Sequence, residues 1–466
     1  MAYITFSTPF GFRLYDREKN RVAPLQQEEY HALQNIAGGI GMEIDYIYLN
    51  KLQRKGFCNR SDLVSIEHPA TDEIESIVST HINQMVLQVT QNCNLRCAYC
   101  AYSGSYYNRK HSNKHMSIDI ALKAINFLMS HSTNVDEVAI SFYGGEPILE
   151  FELIKRVVSY IEQTYPEKKV RYNITSNLTL FNDEVIKYVI EKNISIMISI
   201  DGPKETQDKY RVFLNGKGSY STVKLNAERM KAQNPTYFQK CHTNTVISPD
   251  GDYRKIKDFL DTDELFGPLY SSVTLVSSDD LKEPISYGDD YYRLVRKEKF
   301  KLLLAMLGLV KFDAISAIVK SDSAEIMKMY RLLKSGGIQG ITKHHPGGPC
   351  IPGEKRVFVD ADGHIYPCEK ISENEPFQIG NLENGFDIQR IKEMINVGKY
   401  TEKECLNCWA FLYCGTCVAK MVDKGDVSRE KRLEHCEHVR NSLIGKLQDL
   451  EMLQHYGCDF KRMEEM

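Results

Sequence analysis

The chain reads Gln91-Asn92-Cys93-Asn94-Leu95-Arg96-Cys97-Ala98-Tyr99-Cys100 directly after a strand-like run, Met85–Thr90. Three thiolates in this C-x3-C-x2-C loop can hold three irons of a 4Fe-4S cubane, whose usual ligand set is four cysteines. One iron would then be free to bind another ligand. Structural zinc sites use four ligands, commonly in paired C-x2–4-C elements, so the triple disfavours zinc unless a distant Cys or His completes the set. Buried structural thiols are the third interpretation.

The chain around this loop alternates strand and helix patterns from residue 82 to about 280. Apolar strand-like runs fall at 85–90, 138–143, 170–175, 194–200, 245–247 and 273–276. Helical spacing falls between them at 118–129, 153–161 and 185–190. This alternation predicts right-handed crossovers and a mostly parallel α/β sheet. Ligands of such sheets bind beyond the carboxyl ends of the strands.

Three further segments follow predicted strands and would lie at that ligand-facing rim. They are Ser141–Pro147 (SFYGGEP), Thr175–Asn177 (TSN) and Ser199–Pro203 (SIDGP). The two glycines of the first allow close backbone approach to a ligand, and its proline suits the first turn of a helix. Ordinary tight turns explain each segment equally well when it is taken alone.

The second half of the chain holds a larger cysteine array, near His344 and His345. Its members are Cys350, Cys368, Cys405, Cys408, Cys414, Cys417 and Cys436. Thiolates carried on loops converge when a metal binds them, so the array predicts metal centres, and two zinc ribbons are the alternative. The remaining Cys58, Cys241 and Cys458 are interpreted as buried thiols.

Composition excludes several classes of protein. The chain has 466 residues, 42% of them hydrophobic, and a net charge of −3, which gives no general attraction to nucleic acid or membranes. The longest apolar run, Leu302–Val310, is too short to span a bilayer. No secretory signal is visible at the N-terminus, and 13 cysteines, an odd number, argue against a secreted disulfide framework. We therefore expect a cytoplasmic protein.

The cysteine loop, with the aromatic Tyr99 before its last Cys, resembles the cluster loop of radical S-adenosylmethionine (SAM) enzymes. The resemblance implies a partial (β/α)6 TIM-like barrel, and SAM bound to the open iron of the cluster. It also implies reductive cleavage of SAM to a 5′-deoxyadenosyl radical. The second array resembles the SPASM domain of radical SAM peptide-modifying enzymes, which carries two auxiliary 4Fe-4S clusters. Its C-x2-C ending departs from the family, which usually has x3 there.

The resemblance assigns roles to individual residues. By this resemblance, Cys93, Cys97 and Cys100 bind the SAM-cleaving cluster. The implied SAM-binding residues are Tyr99, Gly144, Gly145, Glu146, Asn177, Ser199 and Arg211. The implied ligands of one auxiliary cluster are Cys405, Cys408, Cys414 and Cys436. The other cluster would have Cys350, Cys368 and Cys417, and its remaining iron could take an upstream ligand, a His, water or, as a hypothesis, a substrate thiolate.

The resemblance also predicts a division of the chain. Residues 1–80 would form a winged-helix-like unit that recognises a leader peptide, 81–300 the radical SAM core and 301–345 a helical bridge. Residues 346–440 would form the SPASM domain and 441–466 a C-terminal helix.

The segment from Cys100 to His111 looks like that of maturases acting on Cys-rich precursors, which form thioethers in ranthipeptides and sactipeptides. The implied partners are a Cys-rich precursor peptide with its leader and a flavodoxin- or ferredoxin-like electron donor, without nucleic acid or membrane. The alternatives are an anaerobic sulfatase-maturing (formylglycine-forming) enzyme, a maturase that makes carbon–carbon crosslinks, and a non-enzymatic zinc-binding adaptor. The sequence identifies no catalytic base.

Overall fold

The computed structural model describes residues 1–107, 109–348, 350–371 and 373–465. Its strands are β1 (Tyr3–Thr8), β2 (Gly11–Asp16), β3 (Arg21–Leu25), β4 (Ser65–Ile66), β5 (Gln84–Thr90), β6 (Leu95–Cys97), β7 (Glu137–Gly144), β8 (Lys169–Ser176), β9 (Ser195–Ser199), β10 (Arg211–Phe213), β11 (His242–Ile247), β12 (Tyr270–Leu275), β13 (Lys343–His344), β14 (Val357–Val359), β15 (His364–Tyr366), β16 (Gly380–Asn381), β17 (Gly385–Phe386), β18 (Val422–Asp423) and β19 (Asp426–Val427).

The helices alternate with these strands. They are α1 (Gln27–Ala37), α2 (Glu43–Arg54), α3 (Ile74–Thr80), α4 (Ile118–Ser130), α5 (Phe151–Thr164), α6 (Asp183–Glu191), α7 (Lys204–Tyr210), α8 (Tyr220–Gln233), α9 (Pro235–Phe238), α10 (Tyr253–Thr262), α11 (Asp289–Met306), α12 (Ala317–Lys334), α13 (Ile388–Ile395), α14 (Glu402–Leu406), α15 (Arg429–His455) and α16 (Phe460–Glu465).

The central sheet confirms the predicted α/β class. Its barrel strands run in the order β12-β11-β9-β8-β7-β5, and each neighbouring pair is parallel. Helices connect successive strands, as in a partial (β/α)6 barrel. On β5, Met85, Leu87 and Val89 are buried in the core with Ile125 and Leu128 of α4. The carboxyl end of β5 leads directly into the cysteine loop.

The sheet continues beyond β5 into the second half of the chain. Strand β14 pairs in parallel with β5, with Val357 opposite Met85, and β14 and β15 form an antiparallel hairpin around Asp362-Gly363. The sequence did not indicate that this hairpin joins the barrel sheet, because period-2 patterns specify a strand but not its partner. The pairing places Cys368, shortly after β15, against the barrel.

The N-terminal region begins with an antiparallel sheet, β1-β2-β3, followed by α1 and α2. The predicted division of the chain into domains stays a prediction. The C-terminal helix differs from expectation, since α15 begins at Arg429, where the Ser428 side chain accepts a hydrogen bond from Lys431 N (3.2 Å). Its first turns are polar and carry no apolar spacing, so the predicted C-terminal helix, 441–466, misses the true start, and Cys436 lies on α15.

Among the described residues, no helix combines the length and the apolar character that crossing a membrane requires.

Candidate functional site: a cysteine loop at the barrel rim

The cysteine loop is held against the barrel by a short antiparallel pair, β6–β10, in which Cys97 lies opposite Arg211. Each of the three sulfurs accepts a hydrogen bond from an N–H group. The backbone N–H of Leu95 donates to Cys93 Sγ (3.4 Å), and that of Tyr102 donates to Cys100 Sγ (3.4 Å). The Arg211 guanidinium donates to Cys97 Sγ at 3.9 Å. Such N–H···S bonds stabilise negative charge on metal-bound sulfur and tune a cluster's potential.

Burial controls the acidity of these thiols. Desolvation raises the pKa of Cys93 to about 12 and that of Cys97 to about 11, while the charge of Arg211 acts against the shift at Cys97. Desolvation also raises the pKa of Cys100. Thiols of this kind keep their protons at neutral pH until a metal replaces them, because metal binding releases the proton. The three sulfurs therefore suit metal ligation better than free-thiolate chemistry.

The sulfur spacing does not match a single zinc ion. Within the described ranges, no three cysteine sulfurs lie within 4.8 Å of one another. The metal-ligand atoms that do come this close belong to Asp360, Asp362 and His364. Thiolates on one zinc would lie about 3.8 Å apart, given Zn–S bonds of about 2.3 Å. The Asp360 carboxylate is already engaged by the backbone N–H groups of Asp362 and His364, at 3.0 and 2.9 Å, within the hairpin turn.

The predicted SAM-binding glycines contact the cysteine loop itself. Gly145 N donates to Thr90 O (2.8 Å), and a Cβ on Gly145 would lie 1.9 Å from Asn92 O. Gly144 has φ +130°, and a Cβ there would lie 2.0 Å from Thr90 O. The glycines are therefore required for the turn that packs against the loop, whatever else they bind.

Glu146 is buried at the centre of the rim. Its carboxylate accepts hydrogen bonds from Ser176 Oγ (2.7 Å), Asn177 N (2.8 Å) and Ile148 N (3.2 Å). Desolvation raises its pKa to about 7, and these hydrogen bonds oppose the rise. The role predicted for Glu146 in binding a ligand ammonium group stays a prediction.

Asn177 joins the next strand to the cysteine loop. Its Nδ2 donates to Asn94 Oδ1 (2.9 Å) and lies 3.8 Å from Cys93 Sγ. Ser199, also predicted, is buried at the end of β9. The structure thus places both residues at the rim of the barrel, on strands β8 and β9 or just beyond them.

Tyr99 and Arg211 meet at a residue that the prediction of site residues omitted, Asp201. Arg211 Nε donates to Asp201 Oδ2 (2.9 Å), and the Tyr99 hydroxyl donates to the same oxygen. Asp201 is fully buried, so the pair holds Arg211 beside Cys97. The ionic partnership could have been found from sequence, because a carboxylate that ends a buried strand needs a cation.

A cavity of about 490 Å³ opens beside the cysteine loop, next to Tyr99 and Tyr210. Its lining also includes Ser248 and Val276, just beyond β11 and β12. Parallel sheets bind their ligands at this edge. The volume of the cavity is sufficient for part of a nucleoside or of a peptide.

A second buried network lies between the two cysteine regions and was missed by the sequence analysis. Gln88 Nε2 donates to Glu373 (3.0 Å to each carboxylate oxygen), and the Tyr102 hydroxyl donates to Glu373 Oε1 (3.2 Å). Arg109 Nε lies 2.9 Å from the same oxygen. A polar residue in the middle of an otherwise apolar strand, Gln88 in β5, was the available signal.

A row of polar side chains crosses strands β8, β7 and β5 and reaches Arg356, directly before β14. Asn173 Nδ2 donates to Ser141 Oγ (3.2 Å), Gln84 Nε2 donates to the same hydroxyl (2.8 Å), and Arg356 Nε donates to Gln84 Oε1 (3.1 Å). Arg356 also pairs with Glu369 Oε1 at 2.6 Å. The other oxygen of Glu369, Oε2, is buried without a hydrogen-bond partner among the described residues. Glu369 directly follows Cys368 in sequence.

Burial and neighbouring charges raise the pKa of auxiliary cysteines. Burial raises the pKa of Cys436, and the thiols of Cys414, Cys405 and Cys408 raise it further. Burial raises the pKa of Cys368, and the charges of Glu369 and Cys417 raise it further. Cys350 lies on an exposed loop. The assignment of these cysteines to two clusters stays a proposal.

His345 is unsuited as a fourth ligand for the cluster assigned to Cys350, Cys368 and Cys417. Its Nε2 accepts the Gly398 N–H (2.8 Å), and its Nδ1 lies 2.9 Å from Pro346 O, so both ring nitrogens are engaged by the backbone. Burial lowers its pKa to about 3. The neighbouring His344 is engaged in a similar way, because its Nδ1 atom lies 2.7 Å from His345 O. The idea that a nearby His binds the cluster is therefore not supported at His345.

Comparisons with known proteins agree with this geometry. Residues 87–262 match the model of the Radical SAM superfamily. An uncharacterized protein of Methanocaldococcus jannaschii is 39% identical over 30% of this chain, and this chain spans 45% of it, less than half of that relative's length. The cysteine-type anaerobic sulfatase-maturating enzyme of Clostridium novyi is 23% identical, over 72% of this chain and 86% of that enzyme. In fold, the chain is similar to native anSMEcpe with bound AdoMet and Cp18Cys peptide (TM-score 0.55, 18% identity, 78% of this chain and 98% of that chain).

Proposed function

We propose that this chain, a radical SAM enzyme of the peptide- and protein-maturase type, forms thioether crosslinks in a ribosomally made, Cys-rich precursor peptide. The observation that carries the proposal is the uneven auxiliary array. The array has seven cysteines, one fewer than two fully ligated cubanes need, so Cys350, Cys368 and Cys417 are left for one cluster when Cys405, Cys408, Cys414 and Cys436 hold the other. A cubane on this smaller set would keep one iron for another ligand, and a substrate thiolate suits that position.

The residues present fit the cofactors of this family, SAM and 4Fe-4S clusters. The donor set of Cys93, Cys97 and Cys100 is soft, half-buried and supplied with N–H groups. When bound, the cluster and SAM supply a 5′-deoxyadenosyl radical that removes a hydrogen atom from carbon. We assign Glu146 and the turn before it to the SAM amino group, and Asn177, Ser199 and Arg211 to the rest of that molecule.

Thioether formation must balance atoms and electrons. The Cys S–H bond and the acceptor C–H bond break, and one C–S bond forms. One hydrogen atom leaves in 5′-deoxyadenosine, one proton leaves to a base, and one electron leaves to an acceptor, for which we propose the auxiliary clusters. We propose Glu369 as the base, because its Oε2 is buried, has no hydrogen-bond partner among the described residues and lies beside Cys368 in the chain.

The N-terminal region supplies a surface for the leader peptide in this proposal. Apolar side chains around the start of α2 are exposed, and Ile40 (72%), Met42 (63%), Ile44 (50%) and Ile47 (59%) lie close together in sequence. Isolated exposed apolar residues are common, but a contiguous patch indicates an interaction site. An extended leader segment could cover it by adding to the sheet or the helix face.

Formylglycine formation is the second candidate function. The similarity to the Clostridium novyi enzyme favours it, because that match covers 86% of the enzyme. The same Glu369 would serve as base in that reaction. The 78% coverage in the comparison with anSMEcpe leaves about a fifth of this chain without a counterpart there, and this favours an additional binding function.

Mass spectrometry separates the two functions. Reconstituted protein is incubated anaerobically with SAM, dithionite and two peptides, a Cys-rich precursor and a sulfatase-type Cys peptide. We expect the precursor to lose two hydrogens per crosslink, to keep its sulfur and to leave fewer cysteines open to alkylation. Loss of sulfur from the second peptide alone would overturn the thioether proposal in favour of formylglycine formation.

A further inference from the structure

We propose that Arg17, in the turn between β2 and β3, is a positioning residue for the auxiliary cluster loop, so that the N-terminal region is part of that cluster's binding site. The inference rests on the assignment of Cys405, Cys408, Cys414 and Cys436 to one cluster. It concerns a part of the chain far in sequence from these cysteines.

The guanidinium of Arg17 is wholly buried and fully used as a donor. Its Nη1 donates to Leu406 O (2.8 Å) and to Cys408 O (3.1 Å). Its Nη2 donates to Ser61 Oγ (2.7 Å) and Glu18 Oε1 (2.6 Å), and its Nε donates to Glu18 Oε1 (2.8 Å). Arg carries five N–H groups in a rigid fork, and each has an acceptor here. Two of the five N–H groups bind the carbonyl oxygens of Leu406 and Cys408, in the turn that carries the Cys408 side chain.

Neighbouring residues strengthen the same contact. The Asn20 side chain accepts hydrogen bonds from the hydroxyls of Tyr15 (3.0 Å) and Tyr413 (2.8 Å), and Tyr413 directly precedes Cys414. The N-terminal amino group of Met1 donates to Asn407 O at 2.8 Å. The Arg17 guanidinium also lies over the ring of Phe411, 5.3 Å from its centroid. The N-terminal sheet therefore contacts most of the loop from Leu406 to Tyr413.

These contacts have a consequence for the cluster. The loop has little regular structure of its own, so the positions of the Cys408 and Cys414 sulfurs depend on what holds its carbonyls. Outer contacts that orient metal ligands strongly affect metal retention and potential. A surface on the N-terminal region that binds a precursor would then act on the auxiliary cluster through the same turn.

The test uses full-length protein in a Cys93→Ala/Cys97→Ala/Cys100→Ala background, so that iron and paramagnetic resonance report the auxiliary clusters alone. Arg17→Gln/Glu18→Gln removes both charges of the buried pair together, because either change alone leaves a buried charge unpaired. Arg17→Lys keeps the charge but not the fork. Arg21→Gln, at an exposed position in β3, is the matched control.

We expect the double variant to lose about four irons per chain, the content of one cubane, while the spectrum of the second auxiliary cluster and the circular dichroism stay unchanged. We expect Arg17→Lys to fall between this variant and Arg21→Gln, with an altered spectrum or midpoint potential. Full iron with an unchanged spectrum and potential in both Arg17 variants would overturn the inference. So would loss of both auxiliary clusters together with the circular dichroism, because that result indicates a folding role only. A Cys408→Ala variant that keeps all its iron would instead overturn the cluster assignment, and the inference with it.

Discussion

The Nε atom of Arg109 lies 2.9 Å from Glu373 Oε1, and the two side chains are 8% and 9% exposed. Arg109 also donates through Nη2 to the carbonyls of Glu369 (2.9 Å) and Ile371 (2.6 Å). The segment after Cys100 is thereby attached to the segment after Cys368. A buried ion pair thus fixes the two cysteine regions relative to each other across the mouth of the barrel.

Glu373→Gln should lower the melting temperature by several degrees. The change leaves the Arg109 charge buried without its counter-ion, and the loss of one partner of a buried pair costs roughly 3–5 kcal/mol. Glu383→Gln is the matched control, because the Lys123–Glu383 pair is largely exposed (55% and 72%) and such changes stay within about 0.5 kcal/mol. Thermal unfolding followed by circular dichroism checks this, and equal melting temperatures of the two variants would contradict it.

Gly145→Ala should reduce both the iron content and the yield of 5′-deoxyadenosine. The new Cβ would lie 1.9 Å from Asn92 O, so the cysteine loop has to move. Gly288→Ala is the control, since a Cβ there meets nothing within 4 Å and the residue has no positive φ. Iron per chain, measured after anaerobic reconstitution, distinguishes the two. Full iron in Gly145→Ala would show that the loop tolerates the displacement.

Local sequence patterns were sufficient for the barrel and its cysteine loop. The strand around Met85 and the helix around Ile125 were predictable, because each buries one face of a regular period. Gly144 and Gly145 were recognised through their motif. Their direct contact with the backbone of Thr90 and Asn92 was not, because a backbone-to-backbone approach leaves no signal in side-chain type.

Contacts between distant segments could not be predicted from one sequence. Arg17 looks like one more charged residue in a polar turn, and nothing near it indicates Leu406 or Cys408. The same holds for Glu373, whose partners Gln88 and Arg109 are far from it along the chain. Buried polar side chains need partners, but the sequence does not say which segment supplies them.

His345 should make stability depend on pH between about 3 and 6.5. Burial lowers its pKa to about 3, whereas the unfolded chain has the ordinary value of about 6.5. Between these values the unfolded state binds more protons, so stability rises with pH. The contribution is fully present above about 6.5 and is lost as pH falls toward 3.

His345→Gln should therefore differ from the wild type most at pH 7 and progressively less at pH 6 and pH 5. Melting temperatures across this range give the test. His81, which is exposed, provides the matched control substitution, His81→Gln. A difference between His345→Gln and the wild type that stays constant from pH 7 to pH 5 would contradict the assignment of a neutral, buried imidazole.

Cys368→Ser should separate radical formation from peptide modification. The proposed SAM-cleaving cluster is bound by Cys93, Cys97 and Cys100, so this variant should still produce 5′-deoxyadenosine. The crosslink should be lost, because the smaller auxiliary set then lacks a thiolate. Cys93→Ser should lose both products, and Cys458→Ser should keep both, since its thiol donates to Met306 O (3.3 Å) away from either array. Quantitative mass spectrometry of nucleoside and peptide in the same reaction decides the matter. A crosslinked peptide from Cys368→Ser would show that the substrate sulfur does not depend on this cluster, whereas loss of 5′-deoxyadenosine as well would indicate that the two clusters are not independent.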